Sequence, residues 1–127
     1  MKKTILNLKT SKREEILDIT RMISNAITID NGMITVTIPH TSAGITINEN
    51  YDYDVKIDFI FSLNKISPNY KSFRHMEGNS DSHIKASLVG RSETIAVIDG
   101  KLDLGQWEGI WFCEFDGARD RFIWIYQ

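Results

Sequence analysis

The segment "TIAVIDGKLDLGQWEGIWFCEFDGARDRFIWIYQ" (94–127) decides the fold class. Its apolar residues form short alternating, β-branched or aromatic stretches, which are typical of strands. Asp99-Gly100 lies between two such stretches and predicts a two-residue hairpin turn. The turn "DGAR" (116–119) predicts a second short connection, between "EGIWFCEF" and "RFIWIYQ". Short turns join antiparallel strands, so the segment predicts a largely antiparallel sheet.

The last of these strands is almost continuously apolar. The stretch "RFIWIYQ" (121–127) contains large side chains at successive positions. A strand of this kind is typical of one covered on both faces. We therefore expect the protein core on one side and a second subunit on the other.

The rest of the chain adds further strands and two or three helices. Strands are predicted for 4–10, 33–39 and 43–49, and helices for 12–27, from about Asp52 or Asp54 to Ile66, and for about 82–89. The count of about seven strands with so few helices predicts an α+β fold with largely antiparallel sheet. We expect one compact domain over residues 1–127.

Composition excludes several classes of protein. Hydrophobic residues make up 42% of the 127 residues and charged residues 25%, which is typical of a folded globular chain. A net charge of -2 argues against binding to nucleic acid or to an anionic membrane surface. The single cysteine, Cys113, excludes an intramolecular disulfide and is expected to be buried. No apolar run reaches the ~20 residues that span a bilayer, so we expect a cytoplasmic protein.

All three histidines occur in short polar motifs. His40 lies in "PHTSAG", His75 in "RHME" and His83 in "NSDSH". Three neutral imidazoles with one open position form a catalytic zinc arrangement, but the spacing here matches no standard short metal motif. The alternative, that one histidine caps a turn and another is merely exposed, stays open at this point.

The stretch "GNSDSHIKASLVG" (78–90) predicts a short helix with an anion-binding end. Asn79, Ser80 or Asp81 is a suitable capping residue, and Gly90 is a suitable end. Free N–H groups at a helix amino terminus attract a phosphate or a carboxylate. His83 falls in the first turn, and Ser87 follows one turn later, either facing the same pocket or packing.

Two further charged residues and one aromatic residue are candidates from their positions. Glu49 follows a strand that starts near His40, and a strand–turn–strand path would bring the two together, with Glu49 as a general base or as a partner that orients the histidine. Arg119 is either a surface residue or a phosphate clamp. Trp107 in "LGQWEG" lies between glycines, which indicates a loop that lines a pocket.

Three segments together resemble a known family. They are "HTSAGITINEN" (40–50), "RHMEGNSDSHIKASLVG" (74–90) and "LGQWEGIWFCEFDGARDR" (104–121). In this order they are similar to the YjbQ-like family of secondary thiamine-phosphate synthases. The resemblance implies a compact α+β domain that assembles as a homotrimer with pockets near subunit contacts. The family's polar motif positions fall on His40, Thr41, Glu49, His75, Asn79, Asp81, His83, Glu114, Asp116 and Arg119.

The activity implied by the resemblance joins a pyrimidine methyl diphosphate to a thiazole phosphate and expels diphosphate. The expected catalytic residues are Glu49, His75, Asp81 and His83. The expected substrate- or anion-binding residues are Thr41, Asn79, Lys85, Ser87 and Arg119. A divalent metal ion, zinc or magnesium, is expected on His40, His75 and His83.

Two other functions stay open. The same residues suit metal-assisted hydrolysis of a small phosphorylated or carboxylated metabolite, with Glu49 or Glu77 handling the proton. They also suit a protein that binds an anionic metabolite without turning it over. In each case the expected partners are a small anionic metabolite and further copies of the chain, with no nucleic acid and no membrane.

Overall fold

A computed structural model describes all residues from Met1 to Gln127. It contains eight strands and three helices. In chain order they are β1 (Lys3–Lys9), β2 (Glu15–Asp18), α1 (Thr20–Ala26), β3 (Gly32–Thr37), β4 (Ala43–Glu49), α2 (Tyr53–Ile66), α3 (Ser80–Val89), β5 (Ser92–Ile98), β6 (Lys101–Leu102), β7 (Glu108–Glu114) and β8 (Asp120–Tyr126).

The strands form two sheets in which neighbouring strands are antiparallel. The larger sheet has the order β1-β8-β3-β5-β6, and the smaller has the order β2-β7-β4. Each pairing in both sheets is antiparallel. The predicted α+β class with antiparallel sheet is therefore confirmed.

The small sheet is the middle of three layers. Ile110 and Phe112 of β7 belong to the apolar core shared with the larger sheet. Trp111 and Cys113, on the other face of β7, pack with residues of α2 and α3. Cys113 is buried as expected, and burial raises the pKa of its thiol.

The strand with two covered faces is thus β7 and not β8. In β8 the inward residues are buried, whereas Phe122 on the other face is exposed and Trp124 and Tyr126 are half-buried. The expectation that the core covers one face of the last strand is met. The second face is covered only in part, by Lys3 over the ring of Trp124 and by His40 on the ring of Phe122.

The helix predicted for 12–27 is wrong. Residues 15–18 form strand β2, and only Thr20–Ala26 are helical. The carboxylate of Glu15 accepts hydrogen bonds from the backbone N–H groups of Ser11 and Lys12 (2.8 and 3.0 Å), which closes a turn into the strand. Pairing of Ile16 with Cys113 then outweighs the helical spacing, because tertiary contacts override local propensity.

Other predicted elements match closely. Strand β4 has the predicted bounds, and helix α2 begins after Asp52, whose side chain accepts a hydrogen bond from the N–H of Asp54 (3.0 Å). Asp99 and Gly100 have φ angles of 51° and 75°, as a tight hairpin turn requires. None of the helices has the length and apolar character needed to cross a membrane.

Candidate functional site

The main polar cavity lies where three segments meet at one end of the small sheet. These segments are the loop before β4, the loop and first turn of α3, and the start of β8. The cavity has a volume of about 480 Å³ and no hydrophobic residue in its lining. The lining residues are Pro39, His40, Thr41, Ser42, His75, Glu77, Asn79, His83, Arg119 and Arg121.

Close packing of α3 on β4 brings His83 to this cavity. The carbonyl oxygen of Gly90, at the end of α3, accepts a hydrogen bond from the N–H of Ile45 (3.0 Å). A Cβ at Gly44 would lie 2.8 Å from that oxygen, so only glycine permits this approach. Nδ1 of His83 lies 2.8 Å from the carbonyl oxygen of Thr41. A carbonyl can only accept, so Nδ1 carries a proton and Nε2 is the free acceptor of the neutral ring.

His75 reaches the same cavity from the loop before α3. Its ring centroid is 5.5 Å from that of His83, and the two rings are inclined at 70°. The carboxylate-bearing Glu77 lines the same cavity two residues later. The structure therefore brings together both histidines of the stretch 74–90.

His40 lines the cavity but is engaged elsewhere. Its Nε2 accepts a hydrogen bond from the N–H of Phe122 (2.8 Å), and its ring stacks on that of Phe122. Burial lowers the pKa of His40, and the positive charge of Arg121 lowers it further, against an opposing effect of Glu114. His40 is therefore a neutral hydrogen-bond acceptor in the wall of the cavity.

A buried ion pair forms the floor. Glu114 is fully buried and pairs with Arg121, whose guanidinium also donates to Oγ of Ser42 (2.9 Å). Nε of Arg121 donates to Glu114 (2.8 Å), and so does the hydroxyl of Thr10 (2.7 Å). This satisfied network fixes the arginine beneath the cavity.

Arg119 and Asn79 share one carboxylate at the rim. Nη2 of Arg119 and Nδ2 of Asn79 donate to Oδ2 of Asp116 (2.8 and 2.7 Å). Burial would raise the pKa of Asp116, but these hydrogen bonds and the charges of Arg119 and Arg13 hold it below its ordinary value. Asp116 is therefore an anchor that orients Arg119.

A second depression of about 390 Å³ continues from the cavity along α3. His40, Thr41 and His83 belong to both. Ser87 and Arg91 line only the second. The structure thus places Ser87 one turn beyond His83 on a shared surface.

Two expected site residues of helix α3 do not line the cavity. Asp81 and Lys85 are buried and form an ion pair within α3 (3.2 Å). Asp81 also pairs with Arg13 (3.2 Å), and Nζ of Lys85 donates to Asn64 (2.6 Å). The expectation that they contact a ligand is corrected, because both are enclosed by protein groups. Burial would raise the pKa of Asp81, but hydrogen bonds from Arg13 and Lys85 hold it below its ordinary value.

Glu49 lies at the far end of β4. Its carboxylate accepts a hydrogen bond from the N–H of Asp52 (3.2 Å), and it pairs across the sheet with Glu108. The strand runs straight from Ala43 to Glu49, so it carries Glu49 away from His40. The expectation of a Glu49–His40 pair is therefore wrong.

The expected three-histidine metal centre is not formed. No three histidine, cysteine or carboxylate side chains are grouped to hold a metal ion. The physical reason is that His40 uses Nε2 for Phe122 and stacks on its ring. The residues present therefore do not fit a metal ion with three protein ligands.

Arg121 and Ser42 were not expected in the site. Alternation along "RFIWIYQ" places Arg121 on the same face as Ile123 and Ile125, which are buried. An arginine at an inward-facing position of a strand requires a buried partner. The position of Arg121 in the alternating pattern therefore indicated, from the sequence alone, an arginine with a buried partner.

Comparisons with known proteins agree on one group of relatives. Residues 4–126 match the family model described as "UPF0047 protein YjbQ-like". A UPF0047 protein of Methanocaldococcus jannaschii is 52% identical over 93% of this chain and 88% of its own length. YugU of Bacillus subtilis, also a UPF0047 protein, is 47% identical over 94% of each chain.

Solved structures give the same result. A YjbQ/UPF0047 protein from Clostridium acetobutylicum superposes with a TM-score of 0.93 at 47% identity, covering 97% of this chain and 98% of that one. A Sulfolobus solfataricus protein superposes with a TM-score of 0.89 at 26% identity, covering 98% and 94%. That protein is described as YbjQ-like and of unknown function.

These relatives overturn the expected thiamine-phosphate synthase activity. None of the proteins named above is described as a synthase or a transferase, and one is stated to have no known function. The expectation of a metal-dependent reaction is wrong as well, because the three histidines form no group that could hold a metal ion.

Proposed function

The chain belongs to the YjbQ-like UPF0047 family, and from its cavity we propose that it is an enzyme that binds a small anionic metabolite and transfers a proton through His83. The observation that carries this proposal is the wholly polar cavity of about 480 Å³, in which two arginines and three histidines face one glutamate.

The charges of the cavity favour an anion. Arg119 is half-exposed and uses Nε and Nη2 on Asp116, so its remaining donors are available to a ligand. At the floor of the cavity, Arg121 adds a positive charge in a fixed position, although Glu114 neutralises part of it. A guanidinium held in place by a carboxylate is well suited to a phosphate or a carboxylate, because its fork of donors keeps one orientation.

His83 suits proton transfer because its tautomer is fixed. The Thr41 carbonyl holds the proton on Nδ1, so Nε2 accepts a proton from a bound molecule and returns it in a later step. His75, whose ring lies 5.5 Å away, can relay or accept that proton at the other side of the ligand. Glu77 in the same lining stabilises the imidazolium that forms.

Binding of inorganic phosphate tests the anion site directly. Calorimetry should give an affinity that Arg119→Gln lowers about tenfold, the loss of one charge-assisted hydrogen bond. Arg21→Gln is the matched control, since Arg21 is exposed on α1 and lines none of the cavities described. An equal affinity for the two variants would refute the anion site.

Turnover is tested by a screen of phosphorylated and carboxylated metabolites. A substrate found in this way should lose about 10²–10⁴-fold in kcat with His83→Asn, the usual contribution of a general acid or base. Phosphate affinity should change little, because the amide nitrogen of the introduced asparagine takes the position of Nδ1 and would still donate to the Thr41 carbonyl. Turnover that survives this substitution would remove His83 as the proton carrier.

Three other expectations from the sequence are kept as predictions. A zinc or magnesium ion bound through fewer than three protein ligands is tested by elemental analysis of the purified protein, and the cytoplasmic location by cell fractionation. Assembly as a homotrimer is tested by sedimentation velocity on the intact chain.

A further inference from the structure

A separate cavity, distinct from the main cavity and from the depression along α3, lies at the opposite end of β4 from the anion site. It has a volume of about 190 Å³ and is formed by the loop after β4 and the loop before β7. Asn50, Tyr51, Gln106, Trp107 and Glu108 line it. Strand β4 has seven residues, which at a rise of about 3.3 Å each separate the two cavities by roughly 20 Å.

Two exposed aromatic rings form a corner in this cavity. Tyr51 is 80% exposed and Trp107 is 54% exposed. Their ring centroids are 5.4 Å apart, and their planes are inclined at 77°. Rings inclined in this way make two walls at nearly a right angle, and part of each ring still faces solvent. The negative electrostatic potential of aromatic faces attracts a cation.

The corner rests on an anchored frame. The side chain of Asn50 accepts hydrogen bonds from Nζ of Lys56 (2.8 Å) and Nε1 of Trp111 (3.1 Å), and it donates to Asp18 (2.8 Å). The backbone N–H of Asn50 donates to the carbonyl oxygen of Trp107 (2.8 Å), which joins the two loops. Asn50, which precedes Tyr51, and the backbone of Trp107 are therefore held in place before a ligand arrives, which lowers the cost of binding.

Charge at the corner is negative. Glu108 lines the cavity, and only its Oε1 accepts a hydrogen bond, from the N–H of Gly105 (2.7 Å). Glu49 pairs with Glu108 across the sheet, and Asp52 follows Tyr51 directly. Lys56 is the basic residue beneath the corner, and it is buried with its ammonium group donating to Asn50.

We propose that the Tyr51–Trp107 corner is a binding site for a small organic cation, an alkylated ammonium or a guanidinium group. Its apolar surface would lie against the two rings, and its charge would be balanced by Glu108. A weakly hydrated cation fits better than sodium or potassium, because it loses less hydration on entering an aromatic corner. The site is independent of the proposed anion cavity.

Tetramethylammonium chloride is the probe that tests this site. In a ¹⁵N-labelled sample, the indole N–H resonance of Trp107 should shift and saturate at a concentration on the order of tens of millimolar, the weak affinity expected for a small cation held by two ring faces and one carboxylate. Sodium chloride at the same ionic strength and neutral tert-butanol should each give no saturable shift. A saturable response to either would overturn the proposal.

Variants separate the two contributions to binding. Tyr51→Leu and Glu108→Gln should each weaken the probe about fivefold or more, through loss of a ring face and loss of a charge. Phe61→Leu is the matched control, because Phe61 is an aromatic residue of similar exposure on α2. Unchanged affinity in both Tyr51→Leu and Glu108→Gln, or an equal loss in Phe61→Leu, would refute the site.

Discussion

Three histidines in similar polar motifs have different surroundings in the folded protein. The Thr41 carbonyl fixes the tautomer of His83, and the ring of His75 lies against His83. His40 instead accepts from the backbone of Phe122 and stacks on its ring. The chemistry open to each imidazole follows from its hydrogen-bond partner and not from its motif.

We expect His40 to titrate at a lower pH than the same residue in the unfolded chain. Burial disfavours the imidazolium, Arg121 repels it, and the opposing attraction of Glu114 is smaller than these effects together. The folded pKa is therefore below the ordinary value of about 6.5. Between the two values the unfolded chain binds the proton preferentially, so this histidine lowers stability as the pH falls through that window.

Proton NMR of the imidazole C–H resonances measures this difference. The His40 signal, assigned by its loss in His40→Gln, is followed against pH in the native protein. The reference is the same titration in concentrated urea. A native pKa equal to or above the urea value would contradict the environment described for this ring.

At the scale of elements, helix α3 supports the site through a buried network. Its first turn carries Asp81, which pairs with Lys85 within the helix and with Arg13 from the loop before β2. His83 lies between Asp81 and Lys85 in sequence but projects towards Thr41. The network therefore fixes the position of the helix that presents the proposed proton carrier.

We expect Asp81→Asn to destabilise the protein by about 1.5–3 kcal/mol at neutral pH, because Lys85 and Arg13 both lose a carboxylate and Lys85 keeps only the Glu14 carboxylate (3.4 Å) as an ionic partner. The pKa of Asp81 is lowered in the folded state, so its contribution is present above the ordinary aspartate value and is lost as the pH falls through the folded value. The difference between wild type and variant should therefore be constant above about pH 5 and shrink towards pH 3.

Urea unfolding at a series of pH values measures this change. Asp58→Asn is the control, since Asp58 is exposed on α2 and forms no ion pair. A difference between wild type and Asp81→Asn that stays constant to pH 3 would show that the carboxylate is not held as an anion.

Local patterns predicted the strands and turns, whereas long-range pairing decided what they missed. Alternation and the Asp99-Gly100 turn are properties of neighbouring residues, and the hairpin of β5 and β6 followed from them. The spacing of Ile16, Ile19 and Ile23 is helical, and nothing local shows that Ile16 pairs with Cys113 of β7. The helix predicted for 12–27 failed for that reason.

Prediction of the candidate site from local sequence patterns has the same limit. His75, Asn79 and His83 lie within a few residues, and a local prediction grouped them correctly in one cavity. Glu49 was placed beside His40 by a strand–turn–strand path, whereas the seven residues of β4 separate the two side chains. The position of a residue along a strand is local information, but the direction of that strand relative to another loop is not.

At the scale of the whole molecule, the outer face of the larger sheet is covered only by a few side chains, such as Lys3 over Trp124 and His40 on Phe122. Ile5 of β1 is opposite Trp124 of β8, and Thr35 of β3 is opposite Tyr126, so these side chains share that face. Met33 and Phe122, two residues along their strands from Thr35 and Trp124, extend it. Lys3 of β1 shares the face, with its ammonium group 3.5 Å from the centroid of the Trp124 ring. A broad, largely apolar sheet face is typical of a subunit contact. It is the surface on which the expected homotrimer would assemble.

We therefore expect sedimentation velocity to give a species of three times the 14.6 kDa chain mass, and Ile5→Glu to dissociate it. The introduced carboxylate loses its hydration in this contact, which costs several kcal/mol for each subunit. Ile57→Glu is a close control, because Ile57 on α2 is 52% exposed and Ile5 is 56% exposed. Dissociation by Ile57→Glu but not by Ile5→Glu would show that the subunits contact each other through the helical layer. A monomeric wild type would refute the expected trimer. Phe122 is exposed on this face and also donates its N–H to His40, so dissociation should also shift the His40 pKa.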